Sequence, residues 1–237
     1  AERDQKEFLR ADATILVGAG FHPGVTDLLA QAAYSNLDEV DELNLYIVGN
    51  FADYGDADGM IAMLAEGWEG TEGLKTIQAG IGLPSTYIKD NQRTMVNPWA
   101  TTKAARTPDG VTIDFTHFAT LEPVALNRTL SDVPNIAIYY GAWPNQMNPV
   151  LKQTSRAVMT NAMTSGEALK KVFIAAKNES QFGPKVHFWA EAKGRKDGKK
   201  VTCQVFSSQP WATNAQMMAT TTGVLAFAGE KLATGTI

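Results

Sequence analysis

The chain has 237 residues, 44% of them hydrophobic and 19% charged, a balance that supports a full apolar core and carries no mark of disorder. Net charge is -4, and the densest basic stretch, residues 194–200, is too short to track a phosphate backbone, so no nucleic-acid partner is expected. No apolar run reaches the roughly 20 residues of a membrane-spanning helix, and the single Cys203 excludes an internal disulfide, which suits a cytoplasmic setting.

Residues 1–12 are charged and lack the apolar stretch of a signal peptide; Phe8 and Leu9 fit the inner face of a helix already in progress. Both termini read as cuts through a longer protein. Thr14 to Val17 reads as a short buried strand ending in Gly18-Ala19-Gly20. The following helix is expected to have Pro23 in its first turn and an apolar face of Val25, Leu28, Leu29 and Ala32. Leu43 to Val48 is a second strand, and Gly59 to Glu66 and Glu72 to Ala79 read as short helices.

From Pro84 to Tyr140 the chain turns to short segments rich in Thr, Val, Ile and aromatics, broken by Asn97-Pro98, Pro108-Asp109-Gly110 and Asp132-Val133-Pro134-Asn135. That texture predicts antiparallel sheet and loop. Two helices follow, over Asn148 to Met163 and Ser165 to Lys177, the second with Ser165 as N-cap and Glu167 in its first turn. Lys185 to Lys193 and Lys200 to Ser207 alternate apolar and polar residues across Asp197-Gly198 and predict a hairpin. Asn214 to Ala233 closes the chain as a helix. Grouped strands with flanking helices predict an α+β fold, a mixed and largely antiparallel sheet covered by helices, in a single domain spanning residues 1–237.

The glycine turn invites a dinucleotide-binding reading, but Gly18, Gly20 and Gly24 give GxGxxxG where the fingerprint needs GxGxxG. Pro23 also removes a backbone donor that a pyrophosphate would use. The strand over Leu43 to Val48 ends at Gly49-Asn50, with no acidic residue at its tip to hold a ribose hydroxyl.

The stretch Gly20-Phe21-His22-Pro23-Gly24-Val25-Thr26-Asp27-Leu28-Leu29-Ala30, following a strand, instead resembles the passage from nucleotide domain to substrate domain in saccharopine dehydrogenases and saccharopine reductases. Leu45 to Asn50 followed by Gly59-Met60-Ile61-Ala62 is similar to a later strand and helix start of these enzymes, and Thr222-Gly223-Val224-Leu225-Ala226 to their late TGxPAA helix. Glu122-Pro123-Val124 and Thr129-Leu130 match the middle sheet loosely. The pattern departs from the family at His22, where Asp is usual, at Leu225, where Pro is usual, and at Asp56-Ala57-Asp58, where a Ser-Pro-Arg is usual.

The resemblance implies the substrate-binding and dimerising domain of an NAD(P)-dependent oxidoreductase acting on an amino-acid or polyamine-derived C–N bond. It implies a dinucleotide-binding Rossmann domain outside this chain, NAD or NADP in the full-length protein with none bound to this chain alone, and a homodimer. The alternative is a non-catalytic small-molecule-binding or dimerising module. His22 and Asp27 are the candidate catalytic residues, at the junction where cofactor and substrate meet. His22 has a pKa range suited to proton transfer but also fits a helix end, and Asp27 either faces the cleft or is a solvated first-turn acid.

Gly20, Pro23, Gly24, Thr222 and Gly223 are expected to face the cofactor. Asp56 and Asp58 suit a substrate ammonium group better than a carboxylate, or are ordinary loop acids; Trp99 lines a cleft or packs in a core; Arg156 clamps a carboxylate or lies on the surface. His117 and His187 read as sheet-face residues, and no metal site is expected because the three histidines have no ligand spacing.

Overall fold

In a computed structural model the described residues are 23–50, 83–97, 99–176, 186, 188–206, 226 and 230. They form an α+β fold. Helix α1 is Val25–Tyr34, strand β1 Glu39–Asn50, β2 Ser85–Lys89, β3 Gln92–Val96, β4 Lys103–Arg106 and β5 Thr112–His117. Helix α2 is Glu122–Thr129, β6 Ile136–Trp143, α3 Met147–Met159, α4 Ser165–Ala176, β7 Phe188–Lys196 and β8 Lys199–Phe206. The strands make one sheet in the order β3-β2-β6-β1-β7-β8, with β5 also pairing β6 and β4 pairing β5. Every pairing is antiparallel except β1 with β6, where Tyr46 lies beside Tyr139.

The alternation in β1 decides which face is which. Leu43, Leu45 and Ile47 point to one side, where they pack with Ile136, Ile138, Phe188, Ala190 and Ala192 beneath Ala30 and Ala33 of α1 and Leu126 of α2. Burying each of the Leu, Ile and Phe side chains among them contributes about 1.5–3 kcal/mol. Glu42, Tyr46 and Val48 alternate with them; Tyr46 and Val48 join Phe115, Ile113 and Trp189 in a second cluster on the other side. A third cluster joins Trp99, Ala142, Met147, Leu151 and Phe173 between β6 and the α3–α4 pair.

Two glycines let backbones approach. At Gly194 a Cβ would run into the Glu39 carbonyl, beside the β-bulge between Val40 and Glu42. At Gly141 a Cβ would stand 2.7 Å from Ile113 and 2.9 Å from the Asp114 carbonyl, so glycine lets β5 close over β6. The Trp143–Pro144 peptide is cis. Just beyond it, the Asn148 amide oxygen accepts the Ala142 N–H at 3.0 Å, and its NH2 donates to Asp114 O at 3.2 Å, fixing α3 to β5 and β6.

Several sequence expectations need correction. Residues 84–140 are not sheet and loop throughout, because Glu122–Thr129 is a helix with Pro at its start. At eight residues it is too short to announce itself by periodicity, and its contacts with β2 and β6 hold it. Helix α1 begins after Gly24, so Pro23 lies just outside it, and Leu28 is 66% exposed because the helix is phased by Thr26, Ala30 and Ala33 against the sheet and α2.

The N-cap of α4 is Thr164, one residue earlier than expected. Its hydroxyl accepts the Glu167 N–H at 3.2 Å while the Glu167 carboxylate accepts the Thr164 N–H at 2.8 Å. The hairpin stands, with Asp197 and Gly198 at φ 50° and 72° forming its tight turn. The final helix expected over Asn214 to Ala233 and the short helices between Gly59 and Ala79 lie outside the described residues, apart from Ala226 and Glu230, which are helical. No helix among the described residues is long and apolar enough to cross a membrane.

Candidate active site

Chain continuity sets up the site. Helix α1 leads through 35–38 into the start of β1 and packs chiefly on β7, and α2 leads through 130–135 into the start of β6 and packs on β2 and β6. Their first turns meet above the sheet, where the Thr26 hydroxyl donates to Glu122.

Each first turn brings one carboxyl, Asp27 on α1 and Glu122 on α2. Glu122 is fully buried, and its Oε1 accepts the hydroxyl of the buried Thr26 at 3.1 Å, tying the two helices together. Among the described residues Glu122 Oε2, Asp27 Oδ1 and Thr120 Oγ1 are buried with no hydrogen-bond partner. Burial first, and then the charge of Glu122, push the Asp27 carboxyl up from 3.8 to about 7, against the Gly24 backbone N–H that favours its ionised form. Gly24 itself has φ 141°, a conformation open to glycine, and brings the chain into α1 without a capping side chain. The arrangement is a half-open carboxyl that changes charge near neutrality, beside a buried carboxylate whose second oxygen lacks a donor.

Of the residues singled out in the sequence, His22, Gly20, Asp56, Asp58, Thr222 and Gly223 lie outside the described residues, as does His187. Asp27 and Gly24 are in the site, with Pro23 directly before it. Trp99 is 4% exposed in the cluster of Met147, Leu151 and Phe173, and Arg156 is exposed on α3. Sequence reasoning placed Glu122 only inside a loose middle match. The one local signal for it is the Glu-Pro pair, which is common at the start of a helix.

A second polar cluster occupies the opposite face of the sheet. Rings of Tyr87, His117, Tyr139, Tyr46 and Trp189 follow one another across it with centroids 4.6, 4.7, 5.3 and 4.6 Å apart. The Lys103 ammonium lies 4.8 Å from the Tyr139 centroid and 5.4 Å from that of Tyr46, and 3.6 Å from the Glu42 carboxylate. Lys193 bridges Glu42 and Glu191 at 3.4 and 3.3 Å. Burial opposes ionisation of Glu42, yet the Asn44 amide and the charges of Lys193 and Lys103 prevail and lower its pKa. Burial, and then the Lys103 charge, bring His117 down to about 4, so its imidazole is neutral at neutral pH. The acids and lysines answer one another, which makes them a self-satisfied network of charges. Among the described residues no three His, Cys, Asp or Glu side chains gather to hold a metal ion.

The fold and site thus define an α+β domain with a carboxyl pair where the first turns of α1 and α2 meet. No family model matches the chain, and no curated protein matches it by sequence. Among solved structures, the apo, histidine-tagged saccharopine dehydrogenase (L-Glu forming) from Saccharomyces cerevisiae is similar, with a TM-score of 0.47 and 11% identity. The match covers 92% of this chain and 65% of that one, so the chain spans less than two thirds of the enzyme's length. It is a distant likeness of fold.

Proposed function

We propose that this chain is the substrate-side domain of an NAD(P)-dependent oxidoreductase acting on the C–N bond of an amino-acid or polyamine-derived compound, with Asp27 moving the proton at the reacting nitrogen. The observation that carries this is the Asp27 carboxyl. It is partly buried in the first turn of α1 beside Glu122, is pushed up to about 7, and lies within the Gly20 to Ala30 stretch that resembles the saccharopine enzymes.

C–N oxidation starts from a protonated amine whose lone pair must be freed before the neighbouring carbon can give up hydride. Ionised Asp27 accepts that proton, and in the reverse direction its carboxylic acid returns it to nitrogen. A carboxyl with a pKa near 7 does both without a large energetic bias. The nicotinamide cofactor, when bound, accepts or supplies the hydride, and in this reading it is held chiefly by a Rossmann domain outside this chain. His22, five positions upstream, keeps its proposed catalytic role, and Asp56 and Asp58 keep theirs toward the substrate.

The test is a scan of amines and oxo acids on the native protein with NADH and NADPH, followed by nicotinamide absorbance. Asp27→Asn is expected to lower kcat by about 10²–10⁴-fold while the far-ultraviolet spectrum is unchanged. Cofactor turnover with no amine or oxo acid, or a wild-type rate in Asp27→Asn, removes the reading.

A further inference from the structure

We propose that Glu122 and Asp27 together form a seat for a primary ammonium group, with Glu122 Oε2 and Asp27 Oδ1 as its acceptors. The proposal rests on the preceding reading only in assigning that ammonium to the enzyme's substrate; the seat itself is argued from two buried acceptors without donors, on helices joined by the Thr26–Glu122 bond.

Glu122 has no exposed surface, and its two oxygens are treated differently. Oε1 is held by Thr26 across the helix contact, whereas Oε2 has no partner among the described residues. A buried carboxylate oxygen without a donor costs stability, so a protein that places one is short of a cationic or hydrogen-bonding ligand. Asp27 Oδ1 is buried and unpartnered in the same way, on the facing helix. Thr120, two residues before Glu122, adds a third unpartnered buried oxygen on the approach to α2. A primary ammonium carries three N–H donors on one compact cation. It therefore has donors for both carboxyl oxygens, and its charge relieves the repulsion between the acids. A quaternary ammonium has the charge without the donors, and an alcohol has a donor without the charge.

Binding is linked to protons. The carboxyl of Asp27 holds a proton below about pH 7, and an ammonium replaces it. Among the described residues, the charged groups at the far ends of the two helices include Asp132, which accepts from Tyr34 at 2.8 Å, Lys196, which donates to Asn36 O at 2.9 Å, and Arg128 in the last turn of α2. Asp27 and Tyr34 are about 10 Å apart along α1. Among the described residues, Glu122 is the charge that acts on Asp27.

The experiment is calorimetry on this chain with butylammonium chloride, set against tetramethylammonium chloride and butanol, at pH 6 and pH 8 and in buffers of different ionisation enthalpy. Butylammonium is expected to bind about tenfold tighter at pH 8 than at pH 6, with proton release near neutrality. The other two probes are expected not to bind. Glu122→Gln and Asp27→Asn, each checked for folding by circular dichroism, should each weaken butylammonium at least tenfold.

No heat with butylammonium in the wild-type chain, equal binding of tetramethylammonium, or unchanged affinity in Glu122→Gln overturns the seat. Even if Glu122→Gln fails to fold, the ranking of the three probes on the wild-type chain still decides the matter. Amine binding of the expected kind in a native protein that turns over no nicotinamide cofactor sinks the functional reading and leaves the seat standing.

Discussion

Replacing Asp27 by Asn should make the protein more stable at alkaline pH. In the unfolded chain this carboxyl loses its proton near pH 3.8, whereas in the folded protein it keeps the proton until about pH 7. Between those values the folded state holds more protons than the unfolded one. Stability therefore falls as pH rises from about 4 to about 7, and above that the loss is complete. At full weight the difference is about 4 kcal/mol. Asp27 is only partly buried, so water screens its charge, and about 2 kcal/mol is the expected loss.

Asn has the same shape and keeps an oxygen for the Gly24 N–H, while its NH2 supplies a donor beside Glu122. The variant should gain about 2 kcal/mol at pH 8, a Tm rise of about 4–8 °C for a domain of this size, and almost nothing at pH 4. Thermal unfolding by circular dichroism at both pH values measures it. If the Asp27→Asn variant melts no higher than wild type at pH 8, or keeps the wild-type slope between pH 4 and 7, the carboxyl is not perturbed and its assigned role fails.

His117 gives the opposite dependence. Its folded pKa of about 4 lies below the ordinary 6.5, so the unfolded chain takes up the proton first and stability falls as pH drops from about 6.5 to about 4. His117→Phe should flatten that limb by about 1–2 kcal/mol after screening, and denaturant titrations at pH 5 and 7 that show the same pH dependence in both proteins would speak against it. Gly194→Ala should cost at least about 2 kcal/mol by forcing β1 and β7 apart. Gly198→Ala meets no neighbouring atom and bears only the left-handed backbone cost of about 1–2 kcal/mol. Urea midpoints separate the two, and equal losses would refute the close approach at Gly194.

Much of the fold is written locally. The alternation around Leu43, Leu45 and Ile47 announces β1, Asp197-Gly198 announces the last hairpin, and the Thr164 to Glu167 box fixes the start of α4 to within one residue of the sequence expectation. These features are legible because turn geometry, capping and burial on one face act between residues a few positions apart. The grouping of strands between helices likewise foretells the α+β class.

What the sequence could not disclose lies at long range. The parallel pairing of β1 with β6 joins segments with β2, β3, β4, β5 and α2 between them, and no local pattern encodes it. Helix α2 is too short to form by its own propensity, and its packing on β2 and β6 makes it a helix. Asp27 was legible as a candidate because it lies in a recognisable stretch, but as a residue type it was an ordinary first-turn acid. Its charge change near neutrality arises when the fold buries it and sets Glu122 against it, 95 positions along the chain. Sequence named one half of the candidate site, and tertiary structure supplied the other half together with the burial that raises the Asp27 pKa.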